Sequence, residues 1–297
     1  MELSSGYPHL HPTAREWADE DGASRVRRIR TDRWIGYARA QAALAAIKDV
    51  LSYPKRTRMP NLLLVGPTNN GKTMIVEKFR RSHPPIAAMD AEDGIARVPV
   101  LKIQMPAGPD ELRFFGAILE GLGMSQWPKE RVAAQQSLAV RLMRSTDVRM
   151  LIIDELHNVL SGSAAQQRRM LNLLRWLGNE LQIPLVGVGT AEALRAIRSD
   201  DQLANRFEPL ALPVWNEDEA YRRLLNQGSP ARVVPVSRSL RVDIRRPVRD
   251  HPLRGGALRR YLPHLAQACG DRAAGQRRPA LPVPGRRMVS QERRDRR

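Results

Sequence analysis

Short apolar runs alternate with longer amphipathic stretches over the first 225 residues. The runs at 62–65, 98–103, 150–153, 183–190 and 210–214 are four to eight residues long and rich in Leu, Ile and Val. Runs of that length, bounded by Gly, Pro and polar residues, predict buried strands. Between them, residues 38–51, 74–79, 110–120, 130–143, 166–181 and 191–197 space their apolar positions as helices do. Leu171, Leu174, Trp176, Leu177 and Leu181 make an inward stripe on the fifth of these, with Arg168, Arg169 and Arg175 outward. A further helix over 215–225 has Asn216 as its cap and acids in its first turn. Strands alternating with helices predict an α/β fold with a parallel sheet flanked by helices.

One strand-to-helix junction carries a specific motif. The first apolar run leads into Gly66-Pro67-Thr68-Asn69-Asn70-Gly71-Lys72-Thr73, and a helix follows. Strand, glycine loop and helix, with G-x-x-x-x-G-K-[ST] in the loop, make a phosphate-binding P-loop. The glycines let backbone N–H groups curl around an anion, and the helix N-terminus adds partial positive charge. Lys72 can reach the β- and γ-phosphates of ATP, and the Thr73 hydroxyl can hold Mg²⁺.

About eighty residues on, four apolar residues end in Asp154-Glu155. Ligands of open α/β sheets bind at the C-terminal ends of the strands. Asp154 there would hold Mg²⁺ with Thr73, and Glu155 would polarise the attacking water. His157 is assigned no catalytic role. Thr190 closes the next strand; its hydroxyl is either a sensor of the γ-phosphate or a plain strand-end cap. Arg206 either projects onto a neighbouring subunit as an arginine finger or pairs with Asp200 or Asp201 of its own chain. Ile35 and Tyr37, with Trp34, form either an apolar slot for a base or ordinary core packing.

Charge and composition refine this picture. Hydrophobic residues are 42% and charged residues 27% of the 297, ordinary for a globular protein. The single cysteine, Cys269, excludes an internal disulfide framework and a Cys-rich zinc site, and fits a reducing compartment. The N-terminus lacks the pattern of a secretory signal, and no apolar run approaches the roughly 18 residues of a membrane span. A cytoplasmic protein with no membrane partner is expected.

The net charge of +18 is uneven: residues 228–297 hold 18 Arg, no Lys and 5 acids, a net of +13. The organisation expected is an N-terminal arm (1–29, with a basic cluster at 25–30), an ATPase domain (30–226) and an Arg/Pro-rich segment (227–297). Three readings of that last segment stay open: a basic nucleic-acid tail, a disordered segment, or the product of a shifted reading frame in a GC-rich gene.

The motifs in this order resemble an AAA+ ATPase, and more closely the TniB family, which is related to the TnsC and MuB regulators. The resemblance rests on Asp32-Arg33-Trp34-Ile35-Gly36-Tyr37, the P-loop, Ile153-Asp154-Glu155-Leu156-His157-Asn158, Val186-Gly187-Val188-Gly189-Thr190 and Arg206-Phe207. It covers residues 10–226. It implies an ATP-dependent DNA-binding transposition protein that assembles on double-stranded target DNA. Such a protein recruits or activates a DDE transposase of the same mobile element. It also implies a ring or helical oligomer around the duplex, in which Arg206 would complete a neighbour's site. The helical lid that the family carries is not recognisable after Asn226. A nucleotide-gated adaptor with little turnover and a helicase-loader-like ATPase are the alternatives.

Overall fold

The computed structural model describes residues 20–31, 34–92, 94–125, 131–216, 219, 221 and 222. The segment 227–297 and most of the helix expected over 215–225 lie outside these residues. The described residues fall into two compact units, one ending at Thr31 and the other starting at Asp32. In the first, where a loose arm is expected, Gly22–Arg30 forms helix α1. Asp21 caps it by accepting from Ser24 N at 3.1 Å, and Arg28 pairs with Glu20.

The second unit is built on five parallel strands: β1 (Asn61–Val65), β2 (Val100–Gln104), β3 (Met150–Asp154), β4 (Leu185–Gly189) and β5 (Phe207–Ala211). Their order in the sheet is β2-β3-β4-β1-β5. The chain leaves β1 towards β2 on one side and returns from β4 to β5 on the other. The order therefore reverses between β1 and β4, the place where open α/β sheets bind ligands.

Period-two alternation sends successive side chains to opposite faces. Leu62, Leu64, Met150, Ile152, Val186 and Val188 pack with α2 (Ala38–Ser52) and α3 (Lys72–Arg81). Leu63, Leu151, Ile153 and Leu185 enter the other layer, with α4 (Glu111–Gly121), α5 (Val132–Ser145) and α6 (Ala164–Leu181). Ser163 and Gln166 close a capping box at the start of α6. Met170, Leu171, Leu174 and Leu177 form its buried stripe, while Arg175 is not simply outward but pairs with Asp200 at 3.4 Å.

The last strand lies three residues earlier than its apolar run suggests. Among the described residues β5 is an edge strand that pairs with β1 alone, so Glu208 and Pro209 can face solvent on it. Among the described residues no helix is long and apolar enough to cross a membrane.

Candidate functional site

Val65, the last residue of β1, pairs with Gly189, the last of β4, and Gly66 N donates to Gly189 O at 3.1 Å. Ile153 pairs with Gly187 on the other side of β4. The P-loop, Thr190 and the Asp154-Glu155 pair therefore leave the same edge of the sheet from three adjacent strands. Neighbouring strands are about 4.8 Å apart, so the two outer groups are about 10 Å apart at the backbone, the scale of a triphosphate.

The loop is shaped to receive an anion. Asn69 and Gly71 take positive φ values of 61° and 84°. A Cβ on Gly66 would stand 2.8 Å from Leu212 O, so only glycine fits there. Gly71 precedes α3, and no side chain caps that helix N-terminus. Asn70 is buried and donates to Leu212 O at 2.8 Å and Pro213 O at 3.0 Å, tying the loop to the exit of β5. Sequence reading counts Asn70 as part of the loop; its anchoring role needs the fold.

Lys72 is 7% exposed and donates to Gly66 O at 2.8 Å and Pro67 O at 2.7 Å. Burial lowers its pKa, and the nearby charges of Glu155 and Asp154 oppose that shift. The ammonium is thus held by two neutral carbonyls within electrostatic reach of both acids.

Asp154 is 5% exposed. Its Oδ1 accepts from Glu155 N at 3.0 Å, and its Oδ2 stands 3.3 Å from Lys102 Nζ on β2. Lys102 is a counter-ion that the sequence does not announce. Thr73, at the exposed start of α3, offers a hydroxyl. A hydroxyl and a carboxylate are hard oxygen ligands of the kind magnesium takes when it also shares substrate phosphate oxygens. Among the described residues no group of three or more His, Cys, Asp or Glu gathers to hold a metal. The donor set fits an ion that arrives with a nucleotide.

Glu155 takes a left-handed conformation, φ 56° and ψ 36°, and turns the chain sharply out of β3. A left-handed non-glycine residue costs about 1 kcal/mol, so surrounding contacts must hold it. Leu156, buried in the core, and Asn158, whose Nδ2 donates to Met105 O at 3.2 Å, do so. The Thr190 hydroxyl is buried, makes no capping bond to the helix it precedes, α7 (Ala191–Arg198), and has no hydrogen-bond partner among the described residues. Of the two sequence readings, the strand-end cap is not what the side chain does.

Tyr37 stands beside the loop, its hydroxyl 3.6 Å from where a Cβ on Gly71 would lie. Trp215 meets it edge-on at 4.8 Å, and the Arg39 guanidinium lies 5.9 Å from the Trp215 ring. Burial raises the Tyr37 pKa. Ile35 is half-buried in the same segment. Tyr37 and Trp34 also pack on the apolar layer around Leu62 and Leu64, so the packing and the position beside the loop coexist. Trp215 is missed by sequence reading, because it lies 178 positions from Tyr37 in the chain.

Arg206 is not with the others. It precedes Phe207, which pairs with Asn61 at the start of β1, whereas the P-loop follows the end of β1. A five-residue strand, on the order of 15 Å, separates them. Asp200 is bonded to Arg175 and caps α8 (Asp201–Ala204), so the intrachain ion pair considered for Arg206 is not formed with it. Arg206 instead donates to Asn179 Oδ1 at 2.6 Å. Its pKa is lowered by burial and then by Arg58 and Arg175, so three guanidinium groups gather at this edge.

The sequence model of the family described as Bacterial TniB protein matches residues 25–217. The chain belongs to the TniB family. No curated protein matches the sequence. Among solved structures, the Aeropyrum pernix ORC2 protein in its ADPNP–ADP complexes is similar at a TM-score of 0.50 and 16% identity, covering 69% of this chain and 56% of that one. The Aeropyrum pernix ORC1 protein in complex with DNA is similar at 0.48 and 19%, covering 67% and 52%. Drosophila ORC bound to AT-rich DNA and Cdc6 follows at 0.43 and 10%, covering 72% and 34%. The chain thus spans about half the length of the two Aeropyrum proteins. The likeness to ORC2 is one of fold. This TniB-family chain has an AAA+-type P-loop fold, a parallel sheet flanked by helices.

Proposed function

We propose that this TniB-family protein is a Mg²⁺-dependent ATPase that uses its nucleotide state to control binding to double-stranded target DNA, and there recruits or activates a DDE transposase. The observation that carries the ATPase reading is the meeting of the P-loop, the buried Asp154 with Glu155, and the unpartnered Thr190 hydroxyl at the edge of three adjacent strands. Family membership supports the transposition part.

In this reading Gly66 to Thr73 cradle the triphosphate, and Lys72 exchanges loop carbonyls for phosphate oxygens. Ile35 and Tyr37 take the base. Thr73 and Asp154 would hold Mg²⁺, which would neutralise charge on the phosphates. Glu155 orients the water for in-line attack, and Thr190 reports the γ-phosphate.

DNA binding is tested by anisotropy of a labelled duplex with ATP or ADP across a salt series. About tenfold tighter binding with ATP is expected. Removing residues 228–297 should flatten the salt slope and leave that nucleotide effect in place. Equal affinity with both nucleotides would overturn the reading, and loss of all affinity on truncation would put DNA binding in the tail.

Arg206, far from its own P-loop, would complete a neighbour's site. Arg206→Ala should lower hydrolysis about a thousandfold. Mixing it with Lys72→Ala protein, which keeps Arg206 but not a working loop, should restore turnover. A mixture as inactive as its parts counts against action in trans.

A further inference from the structure

We propose that His157 is the positioning residue of Glu155: its imidazole holds the carboxylate in the place from which it orients water. The inference rests on the reading of Glu155 given above and adds the group that fixes it.

Glu155 leaves β3 through a left-handed turn, and Asn158 N donates back to Glu155 O at 3.0 Å. That turn brings residue 157 beside residue 155, with His157 Nε2 3.2 Å from Glu155 Oε2. The Glu155 side chain is 41% exposed, so its backbone alone does not fix where the carboxylate sits, whereas the His157 side chain is only 21% exposed.

Strand β4 explains why the ring can lie there. Gly187 and Gly189 alternate on one face of it. A Cβ on Gly187 would come within 2.5 Å of Leu156 Cδ2, and one on Gly189 would stand 3.4 Å from both His157 N and Nδ1. Gly187 makes room for Leu156 in the core, and Gly189 makes room for Ala193, 2.7 Å from where its Cβ would lie, with the His157 ring in van der Waals contact beside it at the rim.

One ring nitrogen meets Glu155. The other, Nδ1, is buried against the end of β4, and the Thr190 hydroxyl, one residue beyond Gly189, is buried too; among the described residues neither has a hydrogen-bond partner. Orphaned buried polar atoms are rare and call for a functional reason. Here both border the same glycine, at the place where nucleotide would be sensed. The imidazole thus meets the water-orienting acid through Nε2 and the end of β4 through Nδ1.

The test is single-turnover ATP hydrolysis by the full chain with duplex DNA, together with fluorescent-nucleotide binding. The variants are His157→Phe, His157→Ala, His157→Gln, Glu155→Gln and the Glu155→Gln/His157→Phe pair. Phe keeps the ring volume and Ala removes it, so a packing fault in one does not decide the result. Loss of the imidazole should slow hydrolysis about 10–100-fold with nucleotide affinity within about twofold. Gln, which keeps an N–H near Nε2, should recover most of the rate. In the Glu155→Gln background His157→Phe should cost nothing further, because the pair acts as a unit. Wild-type hydrolysis by both His157→Phe and His157→Ala, beside an inactive Glu155→Gln, overturns this inference alone. So does a loss that adds in full to that of Glu155→Gln. Wild-type hydrolysis by Glu155→Gln overturns the reading beneath it as well.

Discussion

Glu155→Gln should bind ATP as the wild type does and hydrolyse it at a hundredth of the rate or less. A positioned general base contributes about 10²–10⁴-fold, and Gln keeps the size and hydrogen-bonding reach of Glu while losing the basic oxygen. The Glu155 carboxylate is partly exposed, and its ion-pair contact is with His157 rather than with the core. Stability should therefore change by less than about 0.5 kcal/mol, as for other surface substitutions. The variant should stay on ATP, and in the proposed cycle on DNA. Unchanged turnover would remove Glu155 from the chemistry.

Lys72→Ala should lose ATP affinity by about tenfold to a thousandfold. A charge-assisted hydrogen bond contributes about 1.5–3 kcal/mol, and the lysine would make more than one to the phosphates. The comparison needs a control for folding, because Lys72 also satisfies the carbonyls of Gly66 and Pro67. Lys72→Met keeps most of the stem and removes only the charge, so an equal loss in both variants assigns the effect to the ammonium. Binding that persists in both would mean that phosphates sit elsewhere.

Much of this site is legible in the sequence because its parts lie at ends of apolar runs. The strand ending in the glycine–lysine loop is readable alone; the strand ending in two acids and the one ending in threonine gain their meaning from following it. Only the strand order shows that β1, β4 and β3 are neighbours. What the sequence hid depends on contacts across the chain. Nothing local marks Lys102 as the counter-ion of Asp154, because their strands meet only through register, Ile103 with Ile153 and Gln104 with Asp154. Trp215 beside Tyr37 is hidden for the same reason.

In Val186-Gly187-Val188-Gly189 the alternating glycines weaken a strand unless something approaches it closely, and Leu156 does so at Gly187 and Ala193 at Gly189; the contact of His157 beside them needs the fold. The shift of β5 has a different cause. Apolar content marks a central strand well, but an edge strand tolerates Glu208 and Pro209, so the apolar stretch and the paired one share only Leu210 and Ala211. Helix α1 is so rich in arginine that only its Asp21 cap announces it.

The most direct test of nucleotide held between the P-loop and the acids of β3 is calorimetric titration of ATP into the full-length protein with and without Mg²⁺. Saturable binding that Mg²⁺ strengthens, and that Lys72→Ala weakens by about tenfold or more, is the expected result. Protein that ignores ATP in the presence of Mg²⁺, or that binds it equally well without Lys72, would contradict it.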